Sequence, residues 1–373
     1  MLHIYLLLAC AVVIYLACEW FVNSVEWLGV RLKLGPLAIG TILAAAGTAL
    51  PESVVTLVAV VFSRGHQGAQ IGVGAALGGP LVVATIAYAV TGGMLLIAHR
   101  RRREQVPVGA VGVASVDSGT ARPRVSPGVT PGGGDRRGGV WGLARVDQAR
   151  LSRDQAWFLA IFALKVGLGL VAFAVKPWFG VLFFAAYGVY FWREVNTGDA
   201  AASGDDLEPL KVQPRRATPS TVAVVAQALA TLVVIFGASQ VFVAQLEWVG
   251  PALGLPAVVV ALLLSPIATE LPEIMNAIIW VRQGKTELAV ANISGAMMIQ
   301  ATVPSGIGIL FTPWLFDTPL LLAAGATMAS IAYLNWLFRT RRATPLRLAA
   351  AAGFYLVFAA ALVVDLTGAL GRI

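Results

Sequence analysis

Long apolar runs recur along almost the whole chain, and they restrict its fold more than any other feature. About twenty apolar residues are enough for a helix to cross a bilayer, and the chain contains ten runs of roughly that length. The alternating ten-residue pattern of membrane β-barrels is absent from the sequence. We therefore predict an all-α membrane protein with ten transmembrane helices. The predicted spans are residues 3–23, 36–62, 68–98, 154–173, 177–194, 219–246, 255–282, 286–312, 317–338 and 345–367.

The composition also indicates a membrane protein, because 58% of the residues are hydrophobic, 12% are charged, and the mean hydropathy is +0.79. Soluble domains carry about 25% charged residues. The net charge of +8 could suggest a nucleic-acid partner, but 22 of the 27 basic residues lie in alternate loops. This positive-inside pattern instead predicts a multi-pass protein of the inner (plasma) membrane, with the lipid bilayer as its surroundings, both termini outside and no nucleic-acid partner. The basic loops are 31–33, 100–153, 211–216, 282–285 and 339–347.

Two polar segments divide the apolar spans. Residues 99–153 are basic and rich in Gly, Pro and Ser, which predicts a mostly disordered cytoplasmic loop. Residues 195–218 predict a cytoplasmic linker between two halves of the chain. The first half therefore comprises helices 1–3 in residues 1–98 and helices 4–5 in residues 154–194, and residues 219–373 form a second half of five helices.

The two halves repeat one another. A Glu-Trp pair at 26–27 precedes a Pro-Glu pair at 51–52 by 25 residues, and the pairs at 247–248 and 272–273 have the same spacing. Internal similarity at this scale indicates a duplication. Because each half has an odd number of spans, the second half enters the membrane from the opposite side. We therefore predict two inverted-topology repeats of five helices.

Pro51 and Pro272 each interrupt a predicted membrane helix. A proline has no N–H, so the carbonyl four residues earlier loses its helical donor. These carbonyls belong to Gly47 and Ala268. A free carbonyl at membrane depth needs a partner, and a cation can provide one.

Each proline is followed by a glutamate, and each glutamate has a threonine four residues before it. Glu52 and Glu273 are carboxylates inside apolar stretches, where their cost usually marks a functional site. Thr48 and Thr269 lie one turn earlier on the same helical faces. Two such sets facing each other predict an all-oxygen site with two negative charges. Ca²⁺ prefers six to eight oxygen ligands, and Na⁺ can use a subset of them.

The two motifs carry a resemblance to a known family. Residues 47–52, Gly-Thr-Ala-Leu-Pro-Glu, and residues 268–273, Ala-Thr-Glu-Leu-Pro-Glu, resemble the Gly-Thr-Ser-Leu-Pro-Glu signatures of the cation/calcium exchanger superfamily, the sodium/calcium exchangers. The similarity extends over about 36–98 and 255–312. It implies ten helices in two inverted halves, with discontinuous helices at the centre that hold the ions. It also implies that Glu52 and Glu273 bind both Ca²⁺ and the counter-ion, without a cofactor, and that Thr48 and Thr269 add oxygen ligands.

The second family signature is incomplete in this chain. It reads Gly-Asn-x-x-Gly-Ser-Asn, and an Asn or Asp follows four residues after the Ser. Gly79 and Ala296 occupy the two Ser positions, and Val83 and Gln300 occupy the later positions. Asn292 retains the family's Asn, and Gln300 is a candidate replacement ligand. The site therefore has fewer predicted ligands for Na⁺ than the family pattern implies.

Glu270 has no counterpart in the first repeat, where Ala49 occupies the equivalent position. A third buried carboxylate near Glu273 suits an antiporter that couples to H⁺, because like charges raise a carboxyl pKa. Alternatively, Glu270 faces a water-filled vestibule or pairs with a polar residue such as Asn276. The sequence leaves these alternatives open.

Two other charged residues, Lys165 and Glu26, lie in or near the predicted spans. Lys165 lies inside one, and the sequence identifies no partner for it. Glu26 lies near the end of a helix, which predicts a position at the membrane interface.

The preferred function is secondary antiport of Ca²⁺, or a related divalent cation, against Na⁺ by alternating access around Glu52 and Glu273. H⁺-coupled antiport is one alternative, and a non-transporting membrane scaffold derived from an exchanger is another. An intramembrane enzyme is disfavoured because no Ser-His, paired-Asp or His-Glu-x-x-His arrangement lies in the spans.

Overall fold

A computed structural model describes residues 2–35, 38–49, 53, 57, 66–104, 143, 146–172, 175–196, 207–252, 263 and 265–370. Apart from short turns and loops, the described part is helical. Its helices, numbered α1 to α13 in chain order, are Leu2–Arg31, Ile39–Ala49, His66–Val82, Tyr88–Glu104, Gln148–Leu170, Phe179–Asn196, Thr221–Ala252, Ser265–Thr269, Leu271–Arg282, Thr286–Phe311, Thr318–Arg339, Pro345–Ala349 and Ala352–Leu370. In α2 the first six residues, Ile39–Ala44, form a π-helix.

The prediction of an all-α membrane protein is confirmed. Within the described residues, six helices are long and apolar enough to cross a membrane. The predicted total of ten spans and the inverted repeat stay predictions, because parts of 36–62 and 255–282 lie outside the described residues. The six candidate spans are His3–Arg31, Ala76–Ala98, Thr221–Phe242, Thr286–Phe311, Thr318–Arg339 and Pro345–Asp365.

Helix α10 lies at the centre of the fold. Almost every side chain from Thr286 to Ile309 is buried, and α2, α3, α5, α6 and α9 pack around it. Helices α1 and α7 pack along each other and expose large apolar side chains, including Leu8, Val222 and Val233. Such apolar surface suits contact with lipid, because the lipid tails are as apolar as these side chains and exposing them there has no hydrophobic cost.

Two glycines allow the central helices to approach closely. A Cβ at Gly295 of α10 would lie 2.2 Å from the carbonyl oxygen of Thr41 in α2. Gly78 of α3, its equivalent in the first repeat, lies against Pro266 of α8, where a Cβ would be 2.8 Å from Cγ. Each glycine thus lets two helices that are far apart in the sequence approach closely.

Two prolines lie inside central helices without ending them. Pro80 in α3 removes the helical donor for the carbonyl of Ala76, and Pro304 in α10 removes that for the carbonyl of Gln300. A π-helical turn, Val83–Ala87, joins α3 to α4. Irregular turns of this kind inside helices are frequent at functional sites.

Candidate cation site

The helix that carries the second Pro-Glu motif is broken at Glu270. Helix α8 ends at Thr269 and α9 begins at Leu271, with Glu270 at φ −87° and ψ 4° between them. Pro272 occupies the first turn of α9, where a proline is well tolerated. It leaves the carbonyl of Ala268 without a helical donor, as its position in the sequence predicts.

Glu273 lies in the first turn of α9 and is fully buried. The partial positive charge of a helix N-terminus favours a carboxylate at this position. The amide nitrogen of Asn292 in α10 lies 3.4 Å from the backbone carbonyl oxygen of Glu273. The break in the helix therefore places an acidic side chain in the protein interior, against the central helix.

Two buried amide side chains lie near Glu273: Asn276 follows it by about one turn in α9, and Asn292 lies on the neighbouring helix α10. Asn276 is fully buried, and among the described residues neither its Nδ2 nor its Oδ1 has a hydrogen-bond partner. The Oδ1 atom of Asn292 is also buried without a partner in this part of the chain. A buried polar atom without a partner costs about 1–3 kcal/mol. Amide oxygens of this kind, together with a carboxylate, are ligands that a hard cation accepts.

Glu270 and Gln300 contact each other directly. The amide nitrogen of Gln300 donates to both carboxylate oxygens of Glu270, at 2.7 and 2.6 Å, and both side chains are buried. Gly79 provides the space for this pair. A Cβ at Gly79 would lie 2.7 Å from Oε1 of Glu270 and 3.2 Å from Cδ of Gln300. Glycine at position 79, where the family signature has serine, thus leaves room for the carboxylate of Glu270.

The first-repeat half of the site is only partly described. Thr48 is buried near the end of α2, and its hydroxyl donates to the carbonyl of Ala44 at 3.1 Å. Gly47 lies against Phe21 of α1, where a Cβ would be 2.5 Å from Cζ. Glu52 lies outside the described residues. Its place in the site stays a prediction from the repeat.

Thr269, like Thr48, donates its hydroxyl to a carbonyl of the preceding turn, three rather than four residues earlier. Its hydroxyl donates to the carbonyl of Pro266 at 3.1 Å, and the side chain is partly exposed. A threonine hydroxyl that donates to its own helix keeps its oxygen lone pairs available for a cation. Both predicted hydroxyl ligands therefore remain compatible with ion binding.

Two features of the site were missed by reasoning from the sequence. Asn276 was considered only as a partner for Glu270, although it follows Glu273 by three residues and so shares its helical face. Gly79 was treated only as the loss of a hydroxyl. The described residues contain no group of three His, Cys, Asp or Glu side chains that could hold a metal.

A second buried polar layer connects the site helices to α5 and α6. Arg150 and Glu194 form a buried ion pair at 2.5 Å, and the hydroxyl of Thr41 in α2 donates to the same carboxylate at 3.0 Å. Ser294 of α10 donates to Asp154 of α5 at 3.2 Å. These contacts hold α2 and α10 against the α5–α6 pair.

Comparison with known families agrees with this arrangement. The family model described as "Sodium/calcium exchanger protein" matches residues 2–117 and 223–366, which together are more than half of the chain. The chain belongs to the sodium/calcium exchanger family. Members of this family are transporters rather than enzymes, so the family supports a cation exchanger in a multi-pass membrane protein. Comparison with curated proteins gives no match.

Solved structures of the sodium-calcium exchanger NCX_Mj have a similar fold. A crystal soaked with 10 mM Na⁺ and zero Ca²⁺ matches with a TM-score of 0.67 at 16% identity, covering 97% of this chain and 99% of that chain. A crystal soaked with 2.5 mM Na⁺ and 0.1 mM Ca²⁺ gives a TM-score of 0.66 with the same identity and coverage. At this identity the likeness concerns the fold.

Proposed function

We propose that this exchanger moves Ca²⁺, or a related divalent cation, in one direction and Na⁺ in the other, by alternating access around one central site. The observation that carries the proposal is the fully buried Glu273, which directly follows Pro272 at the start of α9. Among the described residues, the side-chain oxygens of Asn276, one turn later, and of Asn292, on the neighbouring helix α10, are buried without a hydrogen-bond partner. A carboxylate in the membrane interior is costly and is typical of an ion pathway. Its neighbours are the oxygen ligands that hard cations prefer.

We assign roles to five residues of this site. Glu273 supplies one negative charge, and Glu52 is proposed to supply the other from the first repeat. Asn276 and Asn292 supply neutral amide oxygens on one side, and the hydroxyl of Thr48 supplies one on the other. With two negative charges, such a site balances one Ca²⁺, or Na⁺ ions that take its place. Competition for the same carboxylates couples the two fluxes, because each cation must leave before the other binds.

We also propose an orientation in the membrane. Most basic residues lie in the loops after the odd-numbered predicted spans, which places those loops inside and both termini outside. The proposed location is the plasma membrane, and the proposed topology is that of two inverted repeats. The reciprocal packing of Gly78 and Gly295 against helices of the opposite half supports this topology.

A proton-coupled antiporter is the second candidate. The observation that favours it is the complete burial of a third carboxylate, Glu270, next to Gln300. A buried carboxylate can bind a proton when a cation leaves, since burial disfavours its charged form. The two candidates differ in the gradient that drives Ca²⁺ movement.

The driving ion can be identified in proteoliposomes that contain the purified protein. We expect an outward Na⁺ gradient to drive uptake of radiolabelled Ca²⁺, and a pH gradient alone to drive at least about tenfold less, because Na⁺ is the proposed counter-ion. Glu270→Gln separates the candidates further. If only a pH gradient drives uptake and Glu270→Gln abolishes it, the proton-coupled candidate is correct. If neither gradient drives uptake, the exchange proposal fails and a non-transporting protein remains.

Asn276→Leu should separate ion binding from folding. Removing one neutral oxygen ligand is expected to raise the Ca²⁺ concentration for half-maximal flux about tenfold, which corresponds to about 1.4 kcal/mol. The same change replaces a buried amide without partners by an apolar side chain of similar volume, so thermal stability should be unchanged or higher.

Asn335→Leu is the matched control for this variant. The side-chain oxygen of Asn335 accepts a hydrogen bond from Ser152 at 2.8 Å, away from Glu273. We expect this control to lose stability and to keep its Ca²⁺ dependence. A Ca²⁺ dependence of Asn276→Leu equal to that of the unmodified protein would remove Asn276 from the site.

A further inference from the structure

Lys165 of α5 is a fully buried lysine that the proposed exchange does not use. Its ammonium donates to the carbonyl of Ala76 at 2.9 Å and to the hydroxyl of Ser305 at 3.1 Å, and it lies 4.2 Å from the centre of the Phe162 ring. A carbonyl, a hydroxyl and the face of an aromatic ring match the three N–H groups of an ammonium. Helices α3, α5 and α10 thus form a position that suits a cation.

A proline inside α3 frees one of the two oxygen atoms that contact Lys165, and a proline inside α10 frees a carbonyl near the other. Pro80 frees the carbonyl of Ala76, which then accepts from Lys165. Pro304 frees the carbonyl of Gln300, which lies 3.4 Å from the hydroxyl of Ser305. Carbonyls freed inside membrane helices commonly coordinate monovalent cations in transporters. Here a side-chain ammonium fills that role at Ala76.

The residues that hold the ammonium lie on the same two helices as residues that contact Glu270. Ala76 precedes Gly79 by three residues on α3, and Gly79 faces Glu270. Ser305 follows Gln300 by five residues on α10, and Gln300 donates to Glu270. With a rise of 1.5 Å per residue, these steps place the ammonium roughly 5–8 Å along the helices from the carboxylate. The steps run in opposite directions on α3 and α10, as expected for antiparallel helices.

We propose that Lys165 is a tethered cation that balances Glu270 and stands in place of one mobile monovalent ion. The inference deepens the proposed exchange function, because it concerns the charge of the same site. Glu52, Glu270 and Glu273 together bring three negative charges. The ammonium reduces the net charge to the two that one divalent cation balances. The exchanger then binds one Na⁺ fewer than a site with the same carboxylates and no lysine.

A double-mutant cycle tests this charge balance in transport. Lys165→Met and Glu270→Gln are each expected to lower Ca²⁺ flux about tenfold, because each leaves one charge of the pair buried without its counter-charge. The double variant restores the net charge, and its flux should return to within about threefold of the unmodified protein. Lys165→Met should also show a steeper Na⁺ dependence, since a mobile Na⁺ replaces the ammonium.

Thermal unfolding of the purified protein in NaCl and in choline chloride gives a second readout. Na⁺ should raise the melting temperature of Lys165→Met more than that of the unmodified protein. Lys176→Met is the matched control, because Lys176 is also a buried lysine that donates to carbonyls, those of Val171 and Trp314. We expect this control to lose stability, to keep the normal response to Na⁺, and to gain nothing from Glu270→Gln.

The outcomes are distinct. The proposal is wrong if the double variant is as impaired as the two single losses combined, or if Lys165→Met responds to Na⁺ normally. If Lys165→Met does not fold and the double variant does, the rescue supports the charge balance. If neither folds, Lys165 and Glu270 are not coupled and the proposal is overturned. Failure of the exchange function itself would appear separately, as absent Ca²⁺ flux in the unmodified protein.

Discussion

Glu273→Gln is expected to reduce Na⁺-driven Ca²⁺ flux by about a thousandfold. The side chain is fully buried, so solvent would screen the interaction between its charge and a bound ion only weakly. A unit charge and a divalent cation about 4 Å apart interact by about 8 kcal/mol at the effective dielectric constant of protein sites. If the amide oxygen recovers about half of this, the loss is about 4 kcal/mol, which is roughly a factor of a thousand in binding. Glutamine keeps the shape and one oxygen, so the loss measures the charge. Initial uptake rates in proteoliposomes provide the measurement.

Glu208→Gln serves as the control for the loss of a carboxylate. Its side chain is 56% exposed and lies 3.4 Å from Lys211. A surface ion pair of this kind contributes little, so flux should stay within about twofold of the unmodified protein. The repeat predicts for Glu52→Gln the same loss as for Glu273→Gln. Normal transport by either site variant would show that the carboxylate is not a ligand of the transported ion.

The positions of the helices follow from the sequence because the membrane acts as a simple solvent. A segment that crosses hydrocarbon must be apolar and must satisfy its own backbone, so apolar runs predict helices directly. The break near Glu270 was predictable for a similar local reason, since Pro272 removes a specific helical donor. The number of crossings is less direct, because a run such as 36–62 is longer than one straight span requires.

Contacts between distant segments could not be predicted in the same way. The sequence predicts Glu26 near the membrane interface but identifies no partner for it, whereas in the fold it is buried and accepts from Trp280 at 2.8 Å and Lys285 at 2.5 Å. These partners lie more than 250 residues away, so no local pattern identifies them. The partners of Lys165 depend on the packing of three helices in the same way.

The contact between Glu270 and Gly79 shows that departures from the family signatures cannot be interpreted one position at a time. In the sequence, Gly79 is a missing hydroxyl and Glu270 is an unmatched carboxylate, and the two positions lie 191 residues apart. In the fold they touch, so the smaller residue accommodates the larger one. A change in ligand chemistry in one repeat therefore requires a change in volume in the other.

This complementarity leads to the second large effect, which is expected for Gly79→Ser. A Cβ at this position would lie 2.7 Å from Oε1 of Glu270, closer than ordinary contacts allow. Oε1 is the end of a flexible side chain that can move, so the cost comes from the hydrogen bonds between Gln300 and the buried Glu270 carboxylate that this movement breaks. Leaving buried polar groups without partners costs about 1–3 kcal/mol, so the free energy of unfolding should fall by roughly 2 kcal/mol. The carboxylate must also move away from Gln300, so flux should fall by roughly thirtyfold if transport loses a similar free energy.

The double variant Gly79→Ser/Glu270→Ser places serine at positions 79 and 270, each of which corresponds to a serine of a family signature. The shorter side chain at 270 removes the contact, so the free energy of unfolding should return to within about 0.5 kcal/mol of that of the unmodified protein. Such a recovery would show that the two positions are strongly coupled. Gly74→Ser on the same helix is the control, because a Cβ there meets nothing within 4 Å and should leave stability unchanged. Equal stability of Gly74→Ser and Gly79→Ser would contradict the proposed packing. Stability loss at Gly79 without rescue in the double variant would show that backbone strain, rather than the Glu270 carboxylate, limits the size of this residue.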